Sequence, residues 1–206
     1  MPNAPGDPPG VPATPAGVRK REVRERLLRQ RRRLHASPSG AELDIRLLAG
    51  LEPLLAEVGS VAGYAPLRAE PGGPGLIDLL AARVPRLLLP VLAADNDLDW
   101  ALFAGALAAR PGHGLREPTT PRLGVTALAS VDLVLVPAVA VDRRTGVRLG
   151  RGGGSYDRAL PRRRPGTPVV ALLYPGELLD DVPSDPHDQR VDAVLTPDGL
   201  FRPGPV

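Results

Sequence analysis

The sequence predicts an α/β fold built on a mainly parallel sheet with helices on both faces, and three observations carry that prediction. Apolar runs of strand length recur along the chain, among them "RLLLPVL", "DLVLVP", "PVVALLY" and "VDAVLTP". Between several of them lie segments with helical spacing of apolar residues, and strands that alternate with helices give parallel sheets buried on both sides. The 206 residues, 43% of them hydrophobic, are enough for one domain with a real core. Aromatic residues make up only 3%, so Leu, Val and Ala must fill that core.

Taken in order, residues 1–17 hold six prolines and three glycines with almost no large apolar side chain. Residues 1–18 are therefore expected to be a disordered tail, with a single domain over 19–206. From Arg19 to Leu34, Val23, Leu27 and Leu34 form an apolar stripe on a charged helix, and Lys20 and Arg24, four apart, share a face. Ser39 followed by Glu42 has the spacing of a capping box. Leu47, Leu48, Leu51, Leu54, Leu55 and Val58 then recur at helical intervals, with Pro53 expected to kink or divide the helix. "SVAGYAPL" is expected as a strand, "GLIDLLAARV" as a helix and "RLLLPVL" as a buried strand. "VDLVLVPAVAV", "PVVALLY" and "VDAVLTP" are further strands, and "SYDRALPRR" is helical. Ligands of such sheets bind at the carboxyl ends of strands, where loops lead into helices.

Composition removes several function classes. There is no cysteine, hence no disulfide, thiolate metal site or cysteine nucleophile. The longest apolar stretches, such as "LLLPVLAA", fall far short of the roughly 20 residues that span a bilayer, so no membrane association is expected. The N-terminus has neither the apolar segment of a secretory signal nor the amphipathic pattern of a transit peptide, which points to a soluble, cytoplasmic protein. The net charge of +3 is unevenly placed. Residues 19–33 carry nine basic side chains against Glu22 and Glu25, while the chain beyond them is mildly acidic. A nucleic-acid binder would spread its basic surface more widely, although the one basic helix leaves that class open. Of the 26 basic residues Lys20 is the only lysine. Its place in so arginine-biased a chain suggests either a compact ammonium that a planar guanidinium cannot replace or plain chance.

The segment "RLGRGGGSYDRAL", residues 148–160, lies between two ordered stretches. Glycines let backbone N–H groups converge, and the helix that follows adds positive potential, which together suit a phosphate. It is not a Walker A loop, since no Gly-Lys-Ser/Thr closes it, and it lacks the spacing and downstream acid of a dinucleotide fingerprint. The same string also reads as a flexible turn. Asp157 follows the glycines and Asp192 opens the last apolar strand. Magnesium takes one or two carboxylates together with substrate phosphates, and the plainer alternative for each is a cap or strand end. His187 and Asp188 read as structural, because no nucleophile accompanies them. Trp100 reads as core, and Tyr64 as core or as a platform for a flat ligand.

"KREVR", "GYAPLRAEP", "LLLPV", "DLVLVPAVAVDRRTGVRLGRGGGSYDRAL" and "HDQRVDAVLTPDG" occur in this order, and their series resembles the 5-formyltetrahydrofolate cyclo-ligase family over roughly residues 19–200. The resemblance implies a Rossmann-like three-layer fold related to sugar-phosphate isomerases and CoA transferases. It also implies an ATP- and Mg2+-dependent closure of 5-formyltetrahydrofolate to 5,10-methenyltetrahydrofolate, with ATP and a reduced folate as partners and a monomer as the working form. By the same resemblance, Lys20, Arg21, Glu22, Val23 and Arg24 would grip ATP together with Arg148, Leu149, Gly150, Arg151, Gly152, Gly153, Gly154, Ser155 and Tyr156. Lys20, Arg148 and Arg151 would be the catalytic charges. Ala65, Glu70 and the loop from Arg151 through Gly152, Gly153 and Gly154 to Ser155 would contact the folate, and Asp157 and Asp192 would hold the metal. The family usually has Tyr-Tyr-Asp after the last glycine, and this chain has Ser155-Tyr156-Asp157. Two further readings remain: a phosphoryl-transfer or sugar-phosphate enzyme on the same fold, and a nucleic-acid-binding protein using the helix at 19–33.

Overall fold

A computed structural model describes residues 15–112 and 114–204. The chain runs through α1 (Pro15–His35), α2 (Pro38–Leu51), β1 (Ser60–Ala62), α3 (Gly75–Arg83), β2 (Arg86–Leu92), β3 (Leu98–Leu102), β4 (Leu107–Ala109) and β5 (Arg116–Pro118). It continues through β6 (Leu133–Pro137), β7 (Ala140–Asp142), β8 (Arg148–Leu149), α4 (Ser155–Ala159), β9 (Val169–Leu172), β10 (Leu178–Leu179), β11 (Ala193–Thr196) and β12 (Gly199–Phe201). The central sheet has seven strands in the order β12-β11-β9-β6-β1-β2-β3. The five inner strands are parallel, and β3 and β12 run antiparallel at the edges. The mainly parallel sheet expected from the sequence is thus present.

Strand alternation explains the layers. Val61, Leu87, Leu89, Leu133, Leu135, Val170, Leu172 and Leu195 point to one face, where Leu47, Leu51, Leu76 and Leu80 of α2 and α3 cover them. Ala62, Leu88, Val134, Val136, Ala171 and Val194 point to the other, under Leu128, Ala159 and Leu160. These last three come from a 3-10 turn at Val125–Ser130, from α4 and from the 3-10 turn that follows it. Trp100 is fully buried on this side, as expected of a core residue. No described helix is long and apolar enough to cross a membrane.

Several boundaries differ from the sequence reading. The first helix begins at Pro15, a turn before Arg19; residues 1–14 of the expected tail lie outside the described residues. Ser39 and Glu42 form no capping box: α2 starts at Pro38, the cap position is Ser37, and the Ser37 hydroxyl donates instead to the Leu34 carbonyl at 2.7 Å. Proline at the first helical position has φ already set for a helix and no N–H to satisfy, which moves the start forward. Of "SVAGYAPL" only Ser60–Ala62 is strand, because the chain leaves the sheet at Gly63 to reach Glu70. "VDLVLVPAVAV" is two strands. Pro137 ends β6, and β7 enters a separate sheet of order β10-β7-β8. Helix α1 lies on that small sheet, Leu27 packing with Val139, Ala140, Leu149 and Val182.

Candidate functional site

The inward stripe of α1 is not purely apolar. Lys20, Arg24, Leu27 and Arg31 recur at helical spacing, and three of the four bring positive charge against the carboxyl-end loops of the sheet. Arg31 is 2% exposed. Its Nε and Nη2 donate to the two Glu177 oxygens at 2.6 and 2.7 Å, and Nη2 also donates to the Ala138 carbonyl at 2.6 Å. Glu177 in turn accepts the Tyr174 N–H at 2.8 Å. Burial pushes the Glu177 carboxyl above its ordinary value, against the pull of Arg31. This fork anchors the helix.

Toward its N-terminus the helix meets the rest of the site. Arg24 Nε donates to the Gly150 carbonyl at 2.8 Å, and Gly152 (φ +110°) sits with its Cα open toward the Arg24 guanidinium, a backbone conformation that L side chains rarely adopt. Lys20 Nζ donates to Asp185 at 2.6 Å and to Asp188 at 2.5 Å. Burial would lower its pKa, but the two acids outweigh burial and hold the ammonium above its usual value. The same contact pulls Asp185 below the usual carboxylate range.

The glycine loop is positioned from below by Asp142. This buried carboxylate accepts the N–H groups of Arg144, Thr145 and Val182 at 2.9, 2.8 and 3.1 Å. It thereby fixes the β7–β8 hairpin and the irregular segment leading to Asp185 together. Leu149 is core beneath the loop. Arg148, on β8, is buried and aims at α4: Nη2 donates to Asp157 at 2.9 Å, Nη1 to the Pro137 carbonyl at 3.3 Å, and the guanidinium lies 5.7 Å from the centroid of Tyr156. Its Nε and the Tyr156 hydroxyl are buried without a partner among the described residues. Two buried polar groups left unpaired beside a glycine loop are what a site awaiting a polar ligand would show.

Glu70, 4% exposed, closes the other side: Oε2 accepts the Leu67 N–H at 2.8 Å, and Oε1 lies 3.4 Å from Arg151. All three tyrosines of the chain cluster here. Tyr64 donates to the Pro71 carbonyl at 3.0 Å and Tyr174 to Asp44 at 2.7 Å. Burial, with Glu70 nearby, holds Tyr64 and Tyr156 as neutral phenols. A cleft of about 510 Å³ opens along the C-terminal half of α1 between Arg32, His35, Arg68, Ala69 and Arg151.

The structure therefore brings Lys20, Arg24, Arg148, Gly150–Gly154, Tyr156 and Asp157 into one neighbourhood, with Arg151 reaching from it to Glu70. Val23 is half-buried against the small sheet and Arg21 and Glu22 are exposed on α1. Ser155 is half-buried in the first turn of α4, and Ala65 packs against the core under α2 and α3. Asp157 and Asp192 share no partner. Asp157 Oδ1 accepts from Arg148 and from the Gln189 N–H, whereas exposed Asp192 accepts the Val169 N–H at 2.7 Å and ties the starts of β9 and β11. Among the described residues each keeps one carboxylate oxygen without a hydrogen bond, the donor type that Mg2+ takes. Among the described residues one group of three metal-capable side chains converges, Asp185, His187 and Asp188, within 4.8 Å, and Lys20 already sits against two of them. The reading of Asp188 as merely structural missed this pairing, as the sequence reading missed Arg31, Asp142 and Glu177. Each of the four has a partner far along the chain: Lys20 for Asp188, Glu177 and Arg31 for one another, and Val182 for Asp142.

The model of the 5-formyltetrahydrofolate cyclo-ligase family matches residues 16–197. The chain belongs to that family. A 5-formyltetrahydrofolate cyclo-ligase of Mycolicibacterium smegmatis is 38% identical over 185 residues, which cover 86% of this chain and 93% of the relative. That of Escherichia coli is 28% identical over 85% of this chain and the whole of the relative. Among solved structures, 5,10-methenyltetrahydrofolate synthetase of Aquifex aeolicus superposes with a TM-score of 0.72 at 26% identity, covering 89% of this chain and 92% of that one. The Mycoplasma pneumoniae synthetase has the same fold, with a TM-score of 0.67 at 21% identity over 86% and 98%. Membership makes this cyclo-ligase family chain a ligase of folate one-carbon chemistry, as the sequence motifs led one to expect.

Proposed function

We propose that the chain closes 5-formyltetrahydrofolate to 5,10-methenyltetrahydrofolate with ATP and Mg2+, releasing ADP and phosphate. The observation that carries the reading is the convergence of the α1 cations with the glycine loop: Arg24 on Gly150, Lys20 one turn away, and Arg148 held between Asp157 and Tyr156. A formamide oxygen is a poor leaving group. Transfer of the ATP γ-phosphoryl to that oxygen makes it a phosphate ester, nitrogen 10 then attacks the activated carbon, and phosphate departs with the former oxygen and takes up the proton that nitrogen 10 loses. No protein nucleophile is needed. The site's contribution is positioning and charge stabilisation, as in other phosphoryl transfers.

The backbone N–H groups of Gly150–Gly154 would line the phosphates, and Lys20, Arg148 and Arg151 would balance the charge that builds on the transferring group. Asp185 and Asp188 hold the Lys20 ammonium ready; a triphosphate would draw it from one acid to the other side. Arg21, Glu22 and Val23 complete the stretch of α1 beside the nucleotide, with Leu149, Ser155 and Tyr156 along the loop. Glu70, Ala65 and the loop from Arg151 to Ser155 would face the folate. Asp157 and Asp192 are the proposed Mg2+ ligands, through their free oxygens. When bound, the ion would neutralise phosphate charge.

With this reading go a monomeric single domain over residues 19–206, a cytoplasmic location, and kinship with sugar-phosphate isomerase and CoA-transferase folds; these rest on the family. The nucleic-acid alternative loses support because Lys20, Arg24 and Arg31 turn inward to partners within the chain. The test is turnover of 5-formyltetrahydrofolate with ATP and Mg2+, followed by the ultraviolet absorbance of the methenyl product. Lys20→Ala and Lys20→Arg should both raise the KM for ATP while leaving the fold intact. Asp157→Asn and Asp192→Asn should each require more Mg2+, with the double variant costing less than the sum. Absence of product with the wild-type chain would refute the activity, and unchanged ATP and Mg2+ dependence in the variants would refute the assignments.

A further inference from the structure

The 510 Å³ cleft along α1 carries more positive charge than the chain itself balances. Arg31, at its floor, is neutralised by Glu177. The guanidinium groups of Arg32 and Arg68 have no hydrogen-bond or ion-pair partner among the described residues, and that of Arg151, about half exposed, reaches only Glu70 at 3.4 Å. His35 adds a fourth group that can carry charge. Arg32 and Arg68 come from unrelated elements, the end of α1 and the loop after β1, so helical periodicity alone does not bring them together. The loop is also held in an unusual shape: Ala69, buried in the cleft wall, has φ +65°, a left-handed conformation that non-glycine residues rarely adopt. That twist turns Glu70 into the protein and leaves Arg68 outward beside Arg32. Strain kept in a cleft wall is a mark of function.

Position says which anion fits. Lys20 and Arg24, at the glycine loop, lie about 12–18 Å along the helix from Arg32 at 1.5 Å per residue. On the reading above, the reacting end of the folate must sit at the glycine loop, because its formyl oxygen meets the γ-phosphoryl. A reduced folate is elongated, and its only carboxylates are on the glutamate at the far end. They must therefore project away from the nucleotide, past Glu70 and Arg151. The guanidinium fork matches a carboxylate with two parallel hydrogen bonds. We propose that this cleft is the subsite for the glutamate carboxylates of the folate, held by Arg32 and Arg68 at its mouth. The inference rests on the proposed activity for the identity of the substrate.

The test uses Arg32→Gln, Arg68→Gln and the double variant, at exposed positions outside the phosphate site, with intact folding checked by thermal melts. Binding of 5-formyltetrahydrofolate is measured by equilibrium dialysis, and KM for folate and for ATP by the methenyl absorbance. The double variant should bind the folate about tenfold or more weakly, the equivalent of about 1.4 kcal/mol, with KM for ATP and kcat within about twofold of wild type. A substrate analogue with both glutamate carboxylates converted to amides should bind wild type and double variant alike. Rising salt should weaken the wild type more than the double variant, since the lost contacts are ionic. Equal folate binding by wild type and double variant, a selective rise in KM for ATP, or equal discrimination against the diamide would overturn the inference. Wild-type chain that binds the folate but does not turn it over would refute the proposed reaction, while the binding ratio still decides the subsite.

Discussion

Replacing Arg31 by methionine removes one half of an ion pair that is almost wholly out of water: the two side chains are 2% and 1% exposed. Methionine fills much of the same volume, so the main loss is electrostatic. Glu177 would keep its hydrogen bond from the Tyr174 N–H but face no cation, and the Ala138 carbonyl would lose its donor. Breaking a buried pair from one side costs about 3–5 kcal/mol. For a chain of this length that is a fall in Tm of about 6–20 °C. The loss should depend on pH in a definite direction. Burial already raises the Glu177 carboxyl, and without Arg31 it must rise further. A carboxyl whose folded pKa lies above its unfolded value favours folding below the unfolded value and loses that contribution as pH rises through the folded one. The deficit of Arg31→Met should therefore be larger at pH 8 than at pH 5. Removing both charges, in Arg31→Met with Glu177→Met, should recover more than half of it, because no stranded charge remains. Urea unfolding of the four proteins at both pH values gives the coupling directly. A single-variant cost below about 1 kcal/mol, or losses that simply add, would show that the pair is not what holds α1 to the body.

Three other expectations follow from the same contacts. Gly146→Ala should cost more than the ~1–2 kcal/mol of left-handed strain, because its new Cβ would sit 2.6 Å from the Val191 carbonyl oxygen; Gly105→Ala, also at positive φ but in open space, should show the strain alone, and equal losses in urea would disprove the close approach. Asp142 is pushed up by burial, yet the N–H groups of Thr145, Val182 and Arg144 outweigh that and hold it below the usual carboxylate range; its stabilisation is thus complete above its unfolded pKa and lost as pH falls through the folded value. Stability measured from about pH 6 to pH 2 should accordingly fall less steeply in Asp142→Asn than in wild type, from about pH 4 downward, and parallel curves would remove Asp142 from that role. Ser155→Tyr should lower the KM for 5-formyltetrahydrofolate and leave that for ATP nearly unchanged, whereas a raised folate KM would mean the pocket is built around serine.

What could be read from the sequence depended on the range of the cause. β2 lies where "RLLLPVL" stands and α3 where "GLIDLLAARV" stands, because apolar period is written in neighbouring residues. Lys20 stood out by composition alone. β3 escaped notice because its apolar residues alternate with Asp97 and Asp99 at a sheet edge, and the three-stranded sheet escaped because its strands are only two or three residues long. Arg31 looked like one more arginine on a charged helix, since nothing within several turns reveals that Glu177 waits in the core. The same holds for Lys20 with Asp185 and Asp188, and for Asp142 with Val182. Capping chemistry misled at Ser39 because Pro38, one residue earlier, sets the helix start by its own φ.

The hydrogen-bond partners of Lys20, Arg24 and Arg31 on α1 lie far along the chain: Ala138, Gly150, Glu177, Asp185 and Asp188 all follow the helix by more than a hundred positions. During synthesis the helix therefore leaves the ribosome long before anything exists for its buried arginine to face. Until residue 177 has emerged, Arg31 is better left in water than packed, and until residue 188 has emerged Lys20 lacks its second acid. Domains generally fold as units as the chain is made, and here α1 is made well before the segments on which it docks. A nascent chain would then hold the α1 cations apart from the glycine loop, so that the candidate site is assembled only after residue 188 has been made.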